Sequence, residues 1–342
     1  MPLKFARKTC ERVVAKLCAR PRWQDSEQRV AETRLLAVEL RGFGYGMRRA
    51  LPRVRGKSRA RKGRIMQQEM FEGSGETKLA ARSWQPEGAA RAVVVINHGF
   101  KSYSGLYDWV GEELARRGYA VFALDMRGHG GSEGEPLFVE HMSDYVADLE
   151  AFVDLAKARV PNVPVFLLGH SAGGVVGCLY ALDHQRQLAG FVCESFAHEL
   201  PAPDFALAVL KGISQVAPHA HVLKLADEDF SRDPAFVARM HSDPYVSQAG
   251  YPSATAAALV RADEQLKRDF GKLELPVLIL HGTADRAAKP HGSQAFFALT
   301  GSHDKTLKLY DGYYHDLLND LGKEVVLADI VEWLQVRSAV RR

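Results

Sequence analysis

The 342-residue chain is predicted to be an α/β protein with a mostly parallel central sheet flanked by helices. Short apolar, β-branched runs alternate with longer amphipathic segments from residue 92 to residue 194, and again from residue 276 onwards. Near-continuous apolar strands separated by helices are typical of parallel strands that are covered on both faces. The apolar share of 46% is sufficient for the core that such a fold requires.

The predicted elements form one domain at residues 66–342. Two short alternating segments, residues 66–71 and 78–84, flank a Gly-Ser-Gly-Glu turn and predict a hairpin. Further strands are predicted at residues 92–96, 120–124, 165–168, 188–193, 276–280 and 306–310. Helices are predicted at residues 107–116, 143–158, 173–182, 292–299 and 323–336.

The alternation is interrupted at residues 195–271, which are rich in Ala, Pro, Asp and His and are predicted to be helical. This stretch lies between strands that belong to one sheet. We therefore predict an insertion above the sheet edge, a helical lid, rather than an independent domain.

Residues 1–65 are predicted to be a basic N-terminal extension, partly helical or flexible. They contain 19 Lys and Arg against 5 Asp and Glu, a net charge of +14, whereas the remaining residues contain 26 against 36, a net charge of −10. Three interpretations remain open: a solubilising extension, contact with an anionic membrane or other anionic partner, and an organellar transit peptide. The scarcity of serine and the five acidic residues count against the transit peptide.

Composition also bears on location. The four cysteines have neither metal-ligand spacing nor the spacing of a disulfide framework, and Cys178 and Cys193 are expected to be small buried side chains. No apolar run approaches the length of a transmembrane helix, and the first residues lack a secretory leader pattern. The prediction is a cytoplasmic protein, with peripheral membrane contact through residues 1–65 left open.

The sequence Gly-His-Ser-Ala-Gly at residues 169–173 carries the strongest chemical signal. It follows the apolar run at residues 165–168 and precedes a helical segment, which is the context of a nucleophile elbow. So tight a turn leaves no room for Cβ atoms beside the serine, and glycine on both sides meets that need. Ser171 is therefore predicted to be a nucleophile at the head of a helix.

Two further side chains are predicted to complete a triad. Asp285 follows the strand that ends at residue 280, and His315 follows the strand that ends at residue 310. The loops at the carboxyl ends of parallel strands gather at one edge, and the order Ser, Asp, His is that of an α/β-hydrolase triad. His315 is predicted to be the general base and acid, and Asp285 to orient its ring. The rivals left open are Asp304, Asp311 and Asp316 for the acid, Asp311 foremost, and His281, His291 and His303 for the base.

An oxyanion hole needs two backbone N–H donors, one from the residue after the nucleophile and one from the loop after an earlier strand. The corresponding residues are Ala172 and Phe100, the second of which follows His98 and Gly99 directly after the strand at residues 92–96. Gly99 allows the backbone to pass close to the substrate carbonyl. Phe100 and Ala172 are therefore the predicted donors.

Three further motifs point to a particular family. Residues 125–134 are similar to a D-x-R-G-H-G-x-S-x-G signature, residues 242–244 read Ser-Asp-Pro within the insertion, and residues 307–315 lead into His315. With the triad loops, they resemble the monoacylglycerol lipase and lysophospholipase branch of the α/β-hydrolases, the serine aminopeptidase-like group. The resemblance covers about residues 67–338, and Asp125, Arg127 and His129 are interpreted as structural residues that order the loop beneath the site.

One departure concerns headgroup recognition. That branch commonly follows its His-Gly with a Glu-His pair and an Arg-Tyr pair, whereas this chain has Ser-Tyr at residues 102–103 and Leu-Tyr at residues 106–107. Only Tyr107 fits the pattern, which leaves recognition of a glycerol headgroup open. Tyr107, Phe205 and Leu210 are predicted to bind substrate, although apolar residues of the insertion are equally compatible with packing on the sheet edge.

The resemblance implies a serine carboxylic ester hydrolase that acts on a monoacylglycerol, lysophospholipid or similar ester through an acyl-enzyme on Ser171. The alternatives are an acyltransferase or thioesterase with the same triad, and a protein that binds a membrane or an anionic partner through residues 1–65. The expected partner is a lipid or ester small molecule, and no nucleic acid is expected. No metal or organic cofactor is expected, and the oligomeric state is left open.

Overall fold

The structure, a computed structural model, describes residues 66–198 and 204–339. The predictions for residues 1–65 lie outside the described residues. The strands are β1 (Gln67–Glu72), β2 (Lys78–Trp84), β3 (Ala92–Asn97), β4 (Tyr119–Leu124), β5 (Val165–His170), β6 (Gly190–Glu194), β7 (His221–Leu223), β8 (Tyr251–Pro252), β9 (Val277–Gly282) and β10 (Lys305–Tyr310). The helices are α1 (Asp108–Arg116), α2 (Met142–Arg159), α3 (Ala172–His184), α4 (Asp204–Val216), α5 (Pro234–Ser242), α6 (Ser253–Asp269), α7 (Pro290–Leu299) and α8 (Lys323–Ser338).

Eight of the described strands form one sheet in the order β1-β2-β4-β3-β5-β6-β9-β10. The hairpin β1–β2 is antiparallel and joins β4 in an antiparallel pairing, whereas every pairing from β4 to β10 is parallel. This arrangement confirms the predicted mostly parallel sheet. It also brings the carboxyl ends of β3, β5, β6, β9 and β10 to one edge.

Burial explains the sequence pattern of these strands. All residues of β3, β4, β5, β6 and β9 are buried, because helices cover both faces of the sheet. Leu149 and Phe152 of α2 belong to the apolar cluster on one face, and Leu114 of α1 and Trp333 of α8 belong to the cluster on the other. The edge strand β1 is instead mostly exposed or half-buried and alternates in its burial.

The predicted insertion contains α4, α5 and α6 together with a small antiparallel pairing of β7 with β8, which the sequence pattern did not predict. Helix α6 is rich in alanine, and its buried face packs against α2 and α3. Its role as a lid remains a prediction. Within residues 66–198 and 204–339, no helix combines the length and apolar character needed to cross a bilayer.

Candidate active site

Ser171 lies at the junction of β5 and α3 in a backbone conformation that side chains rarely adopt, with φ 54° and ψ −120°. Such a conformation is strained and persists only where the surrounding structure holds it. The backbone N–H of Ser171 donates to the carbonyl of Glu194 at 2.8 Å, so the neighbouring strand β6 holds the turn. Its side chain is thereby fixed at the sheet edge, with 6% of the residue exposed.

Glycines at residues 99 and 173 allow the two loops around Ser171 to approach each other closely. A Cβ atom at Gly173 would lie 2.2 Å from the carbonyl oxygen of Asn97, and one at Gly99 would lie 2.7 Å from Cβ of Ser171. Any side chain at either position would therefore push the loops apart. Gly173 of the Gly-His-Ser-Ala-Gly motif and Gly99 of the loop after β3 are both required by this packing.

The structure brings the three predicted triad side chains together. Ser171 Oγ lies 2.8 Å from His315 Nε2, and His315 Nδ1 lies 2.7 Å from Asp285 Oδ2. In this geometry the Ser171 hydroxyl donates to Nε2 and the Nδ1–H donates to the carboxylate. A hydroxyl, imidazole and carboxylate in this order can pass the serine proton to the ring as the serine attacks a carbonyl carbon.

The rival acids have other hydrogen-bond or ion-pair partners than the His315 ring. Asp304 pairs with Arg337, and Asp311 accepts a hydrogen bond from Thr283 Oγ1. Asp316 is buried next to His315, but both of its carboxylate oxygens accept from Asn319 Nδ2, each at 3.2 Å. Asp285 is thus the candidate acid that hydrogen-bonds directly to the His315 ring.

Among the rival bases, His281 contacts the acid of the triad, Asp285. Its Nε2–H points at Asp285 Oδ2 at 2.9 Å, and its Nδ1 accepts from Ser293 Oγ at 2.7 Å. Asp285 Oδ1 accepts from the backbone N–H groups of Ala287 and Ala288 at 2.8 and 2.9 Å. Four donors therefore converge on one buried carboxylate, and two of them come from the loop in which it lies.

These donors determine the charge on Asp285. Burial alone would raise the pKa of the Asp285 carboxyl, but the charge of His315 and hydrogen bonds from His281 and His315 bring this pKa far below its usual range. Burial alone would lower the pKa of His315, but the charge and hydrogen bond of Asp285, followed by the charges of Asp316 and Asp229, raise it above its ordinary value. The pair is therefore suited to stabilise an imidazolium.

The oxyanion loop, which we define as residues 98–105, follows β3. Phe100 stacks on the Tyr251 ring with 4.0 Å between centroids, and the backbone N–H of Lys101 donates to the Tyr251 hydroxyl at 2.6 Å. That hydroxyl lies 3.2 Å from His129 Nε2. Phe100 and Ala172, at 4% and 1% exposure, lie in the loops after neighbouring strands β3 and β5. Their role as oxyanion donors remains a prediction.

Hydrogen bonds from the oxyanion loop to the insertion escaped the sequence reasoning. Lys101 is at φ 55°, and its buried Nζ donates to the carbonyl of Leu225 at 3.0 Å and forms an ion pair with Asp227. Two further bonds are Tyr103 Oη to Asp243 Oδ2 at 2.9 Å and Arg239 Nη2 to the carbonyl of Gly105 at 2.9 Å. These partners are more than 120 residues apart in the chain, and no local pattern connects them.

The residues interpreted as structural make contacts within the protein. Asp125 accepts from the backbone N–H groups of Ser104 and Gly131, and Arg127 pairs with Asp148. Burial lowers the pKa of His129 to about 3. The neutral ring that results agrees with its Nε2 accepting a hydrogen bond.

The predicted substrate-binding residues are placed as follows. Tyr107 is fully buried, and its pKa is raised well above the ordinary value by burial and then by the charges of Asp316 and Glu194. Leu210 lies on α4 and is half-buried, and the side chain of Phe205 lies outside the described residues. Substrate contact at these positions remains a prediction.

The insertion reaches the triad through Phe230. Its ring meets the His315 ring edge-on, with centroids 5.1 Å apart, and its carbonyl accepts from the backbone N–H of Asp316 at 2.8 Å. His315 is only 1% exposed. The insertion therefore contributes to the burial of the His315 ring.

A mostly parallel sheet with a strained serine between a strand and a helix at its carboxyl edge defines an α/β-hydrolase. Comparison with known proteins gives a narrower class. Residues 88–322 match the family described as "Hydrolase_4: Serine aminopeptidase, S33". The chain belongs to this family and is a serine ester hydrolase.

Individual relatives agree with the family. The chain is 32% identical over 267 residues to the monoacylglycerol lipase of Mycolicibacterium smegmatis, which covers 77% of this chain and 95% of that protein. It is 34% identical over 266 residues to the monoglyceride lipase of Homo sapiens, covering 76% and 88% of the two chains. The crystal structure of the monoacylglycerol lipase of Paleococcus ferrophilus superposes with a TM-score of 0.68 at 28% identity and covers 76% of this chain and 99% of that chain.

Proposed function

We propose that the protein hydrolyses monoacylglycerols through an acyl-enzyme on Ser171. The observation that carries the proposal is the continuous hydrogen-bonded order from Ser171 Oγ to His315 and from His315 to Asp285. The names of the relatives support the substrate class, because two of the proteins described above are monoacylglycerol lipases and a third is a monoglyceride lipase. Lysophospholipids, which also carry one acyl chain, are the nearest alternative substrates.

In the first half-reaction, Ser171 Oγ attacks the ester carbonyl carbon while His315 Nε2 takes the hydroxyl proton. The carbonyl oxygen becomes an oxyanion, for which the backbone N–H groups of Phe100 and Ala172 are the proposed donors. The tetrahedral intermediate then collapses, the bond from carbon to the alcohol oxygen breaks, and His315 gives its proton to the leaving glycerol. The product is an ester between Ser171 and the fatty acyl group.

In the second half-reaction, water attacks the acyl carbon while His315 Nε2 takes one of its protons. Collapse of the second intermediate releases the fatty acid and returns the proton to Ser171. Asp285 keeps the ring in the tautomer with its hydrogen on Nδ1 and stabilises the imidazolium in both steps. The raised pKa of His315 makes it a stronger base, so more of it is protonated in mildly acid solution.

The insertion is the proposed source of acyl-chain contacts. Leu210 is half-buried on α4, and Phe205 belongs to the same helix. Tyr107 is the proposed residue on the oxyanion-loop side. If Leu210 lines the acyl site, Leu210→Ser raises KM for long-chain monoacylglycerols and leaves short-chain esters nearly unaffected, whereas a packing role lowers thermal stability and affects all substrates equally.

The decisive experiment measures fatty-acid release from a chain-length series of monoacylglycerols and matched lysophospholipids by the purified protein and by Ser171→Ala. The control is Ser195→Ala, because Ser195 also directly follows a strand of the sheet, has a positive φ of 48° and is buried. We expect loss of about 10⁶ in kcat for Ser171→Ala and a small change for the control. Equal inactivity of all three proteins on every lipid contradicts the proposal and favours thioesters or acyl transfer.

Location is a separate proposal. We propose a cytoplasmic protein that touches anionic membranes through residues 1–65, because those residues carry +14 while the rest of the chain carries −10. The full-length protein should sediment with vesicles of phosphatidylserine and phosphatidylcholine at low salt, and lose that binding at about 0.5 M salt, where charges are screened. Binding that is equal on pure phosphatidylcholine, or that ignores salt, contradicts it.

A further inference from the structure

Three ionisable groups that take no part in the proposed proton transfers form a buried cluster next to His315. Glu194 ends β6, His170 ends β5, and Asp316 follows His315 in the chain. One donor or acceptor atom of each side chain lies within 4.8 Å of the other two. Glu194 and His170 are fully buried and Asp316 is 1% exposed, so the cluster is shielded from bulk solvent.

The two carboxyl groups have unequal hydrogen bonding. Glu194 Oε1 accepts from the backbone N–H of Leu318 at 3.1 Å, but its buried Oε2 has no hydrogen-bond partner among the described residues. Both oxygens of Asp316 accept from the Asn319 amide. Two ionised carboxylates at this depth repel each other and lose their hydration, and a single proton relieves both costs.

Electrostatics assigns the proton to Glu194. Burial and then the charge of Asp316 raise the pKa of Glu194 well above its ordinary value, against the opposing N–H groups of Leu318 and Leu317. Burial raises the pKa of Asp316 only to about 6, because the Asn319 hydrogen bonds and the charge of His315 oppose it. Among the described residues, the titratable and charged groups that interact with the two carboxyls are Tyr107, His170, Cys193, Asp285, Tyr310, His315, Asp320 and Lys323.

His170 does not supply a compensating charge. Burial, and then the charge of His315, lower its pKa well below the ordinary value. Its ring packs against the His315 ring with 4.9 Å between centroids. A second positive charge so close to an imidazolium would be unfavourable, so His170 stays neutral and the acid pair needs its own proton.

A divalent metal ion is the other species that could relieve the repulsion, and the donor set does not favour it. Structural zinc sites have four protein ligands, and zinc sites with three protein ligands keep a fourth position open to water or substrate. This cluster offers three buried side chains, one of which, Asp316, is already engaged by Asn319.

We propose that Glu194 is protonated and Asp316 ionised at neutral pH, so that this acid pair holds a single negative charge beside His315. Asp316 then acts as a positioning residue through its charge. That charge raises the pKa of His315, after the larger contribution of Asp285. The inference rests on the proposed role of His315 as the base. Because Glu194 is neutral, it adds no second negative charge beside His315. The pKa of His315 is therefore raised less than two ionised carboxylates would raise it.

The test compares Glu194→Gln with Asp316→Asn in pH profiles of kcat/KM, whose acid limb reports the ionisation of the free enzyme's base. Glutamine replaces a neutral acid by a neutral amide, so Glu194→Gln should leave the midpoint of that limb within about 0.2 pH units of the wild type, whereas Asp316→Asn should lower it by roughly 0.5 to 1 unit. Equal downward shifts in both variants show two ionised carboxylates and overturn the proposal. An unshifted midpoint in Asp316→Asn overturns it as well.

A second measurement does not depend on activity. A raised carboxyl pKa means that the folded protein binds a proton which the unfolded chain has released, so stability falls as pH rises from about 4.5 through the folded pKa. The Tm of Glu194→Gln relative to wild type should therefore increase by at least about 5 °C between pH 5 and pH 8. A constant difference contradicts the protonated acid even if the protein proves inactive on every ester. Stoichiometric zinc or another divalent metal in the purified wild-type protein, measured by elemental mass spectrometry, also overturns the proposal.

Discussion

Two buried carboxyl groups at the same edge of the sheet have pKa values shifted in opposite directions. Asp285 follows β9, and Glu194 ends the adjacent strand β6. The side chain of Asp285 and the whole of Glu194 are inaccessible to solvent. Asp285 receives four hydrogen bonds and its pKa falls far below the usual range. Glu194 receives one at 3.1 Å, faces another acid, and its pKa rises.

The contrast shows that depth alone does not determine the charge of a buried acid. Both groups lose their hydration, but the two N–H groups beyond Asp285 and the rings of His281 and His315 replace that hydration for the anion. Glu194 has no comparable set of donors. The proposed mechanism uses this difference, because an imidazolium at His315 needs one strong anionic partner and a moderate second charge.

Among changes to these two acids and their partners, the largest expected effect comes from neutralising Asp285, the acid that receives four hydrogen bonds. Asp285→Asn should lower kcat by about 10⁴, as expected when a triad carboxylate becomes an amide and the histidine loses its correct tautomer. The matched control is Asp311→Asn, the nearest sequence rival, which accepts a hydrogen bond from Thr283 in the loop after β9. A larger loss in Asp311→Asn than in Asp285→Asn would show that the acid had been assigned wrongly.

A smaller effect should follow from removing one donor to Asp285. His281→Phe deletes the hydrogen bond to Oδ2, and a hydrogen bond to a charged group is worth about 1.5–3 kcal/mol, so kcat should fall by roughly 10- to 100-fold. Ser293→Ala is the control, because it removes the hydrogen bond to the other nitrogen of the ring, Nδ1, and leaves the Asp285 contact in place. Steady-state kinetics that rank the two variants in the reverse order argue against a role for His281 through Asp285.

Stability should respond to Asp285 with the sign opposite to that of Glu194. Because the folded pKa of Asp285 is lowered, its contribution is present above the unfolded value of about 3.9 and is lost as pH falls through the folded value. Calorimetry should show a wild-type Tm about 2–4 °C above that of Asp285→Asn at pH 7, with a gap that narrows below pH 4. A gap that widens in acid contradicts the ionised state.

The smallest expected effect is in the wild-type pH profile itself. Asp285, Asp316 and Asp229 raise the pKa of His315 against the effect of burial, so the midpoint of the acid limb of kcat/KM should lie above about 6.5. Measurements with a soluble short-chain ester avoid pH effects on a lipid interface. A midpoint below 6 would mean that burial outweighs the three carboxylates.

Most of the sheet could be predicted because its strands are buried on both faces. The local sequence predicts the parallel arrangement, because the uninterrupted apolar strands alternate with amphipathic helices. These strands are β3, β4, β5 and β9. The pairing of β7 with β8 escaped because it joins segments of three and two residues that are 28 residues apart. Such short strands have too few positions to display alternation.

The residues of the site also fall into those that the sequence could predict and those that it could not. Ser171, Asp285 and His315 could be found because each follows a predicted strand, and strand order brings those loops to one edge. Glu194 left a signal that went unused, since a charged residue ends an otherwise apolar strand. Two other contacts could not be predicted from the sequence. The hydrogen bond from His281 to Asp285 depends on how the loop after β9 folds back, and the ion pair of Lys101 with Asp227 joins residues that are 126 positions apart.

The most direct test of the account is infrared difference spectroscopy at pH 7, which distinguishes the stretching band of a protonated carboxylic acid from that of a carboxylate. The spectrum of wild type minus Glu194→Gln should contain a protonated carboxyl band, and that of wild type minus Asp285→Asn should contain carboxylate bands. If Glu194→Gln instead removes carboxylate bands, or Asp285→Asn removes a protonated acid, the two buried acids do not differ in charge and the account is wrong.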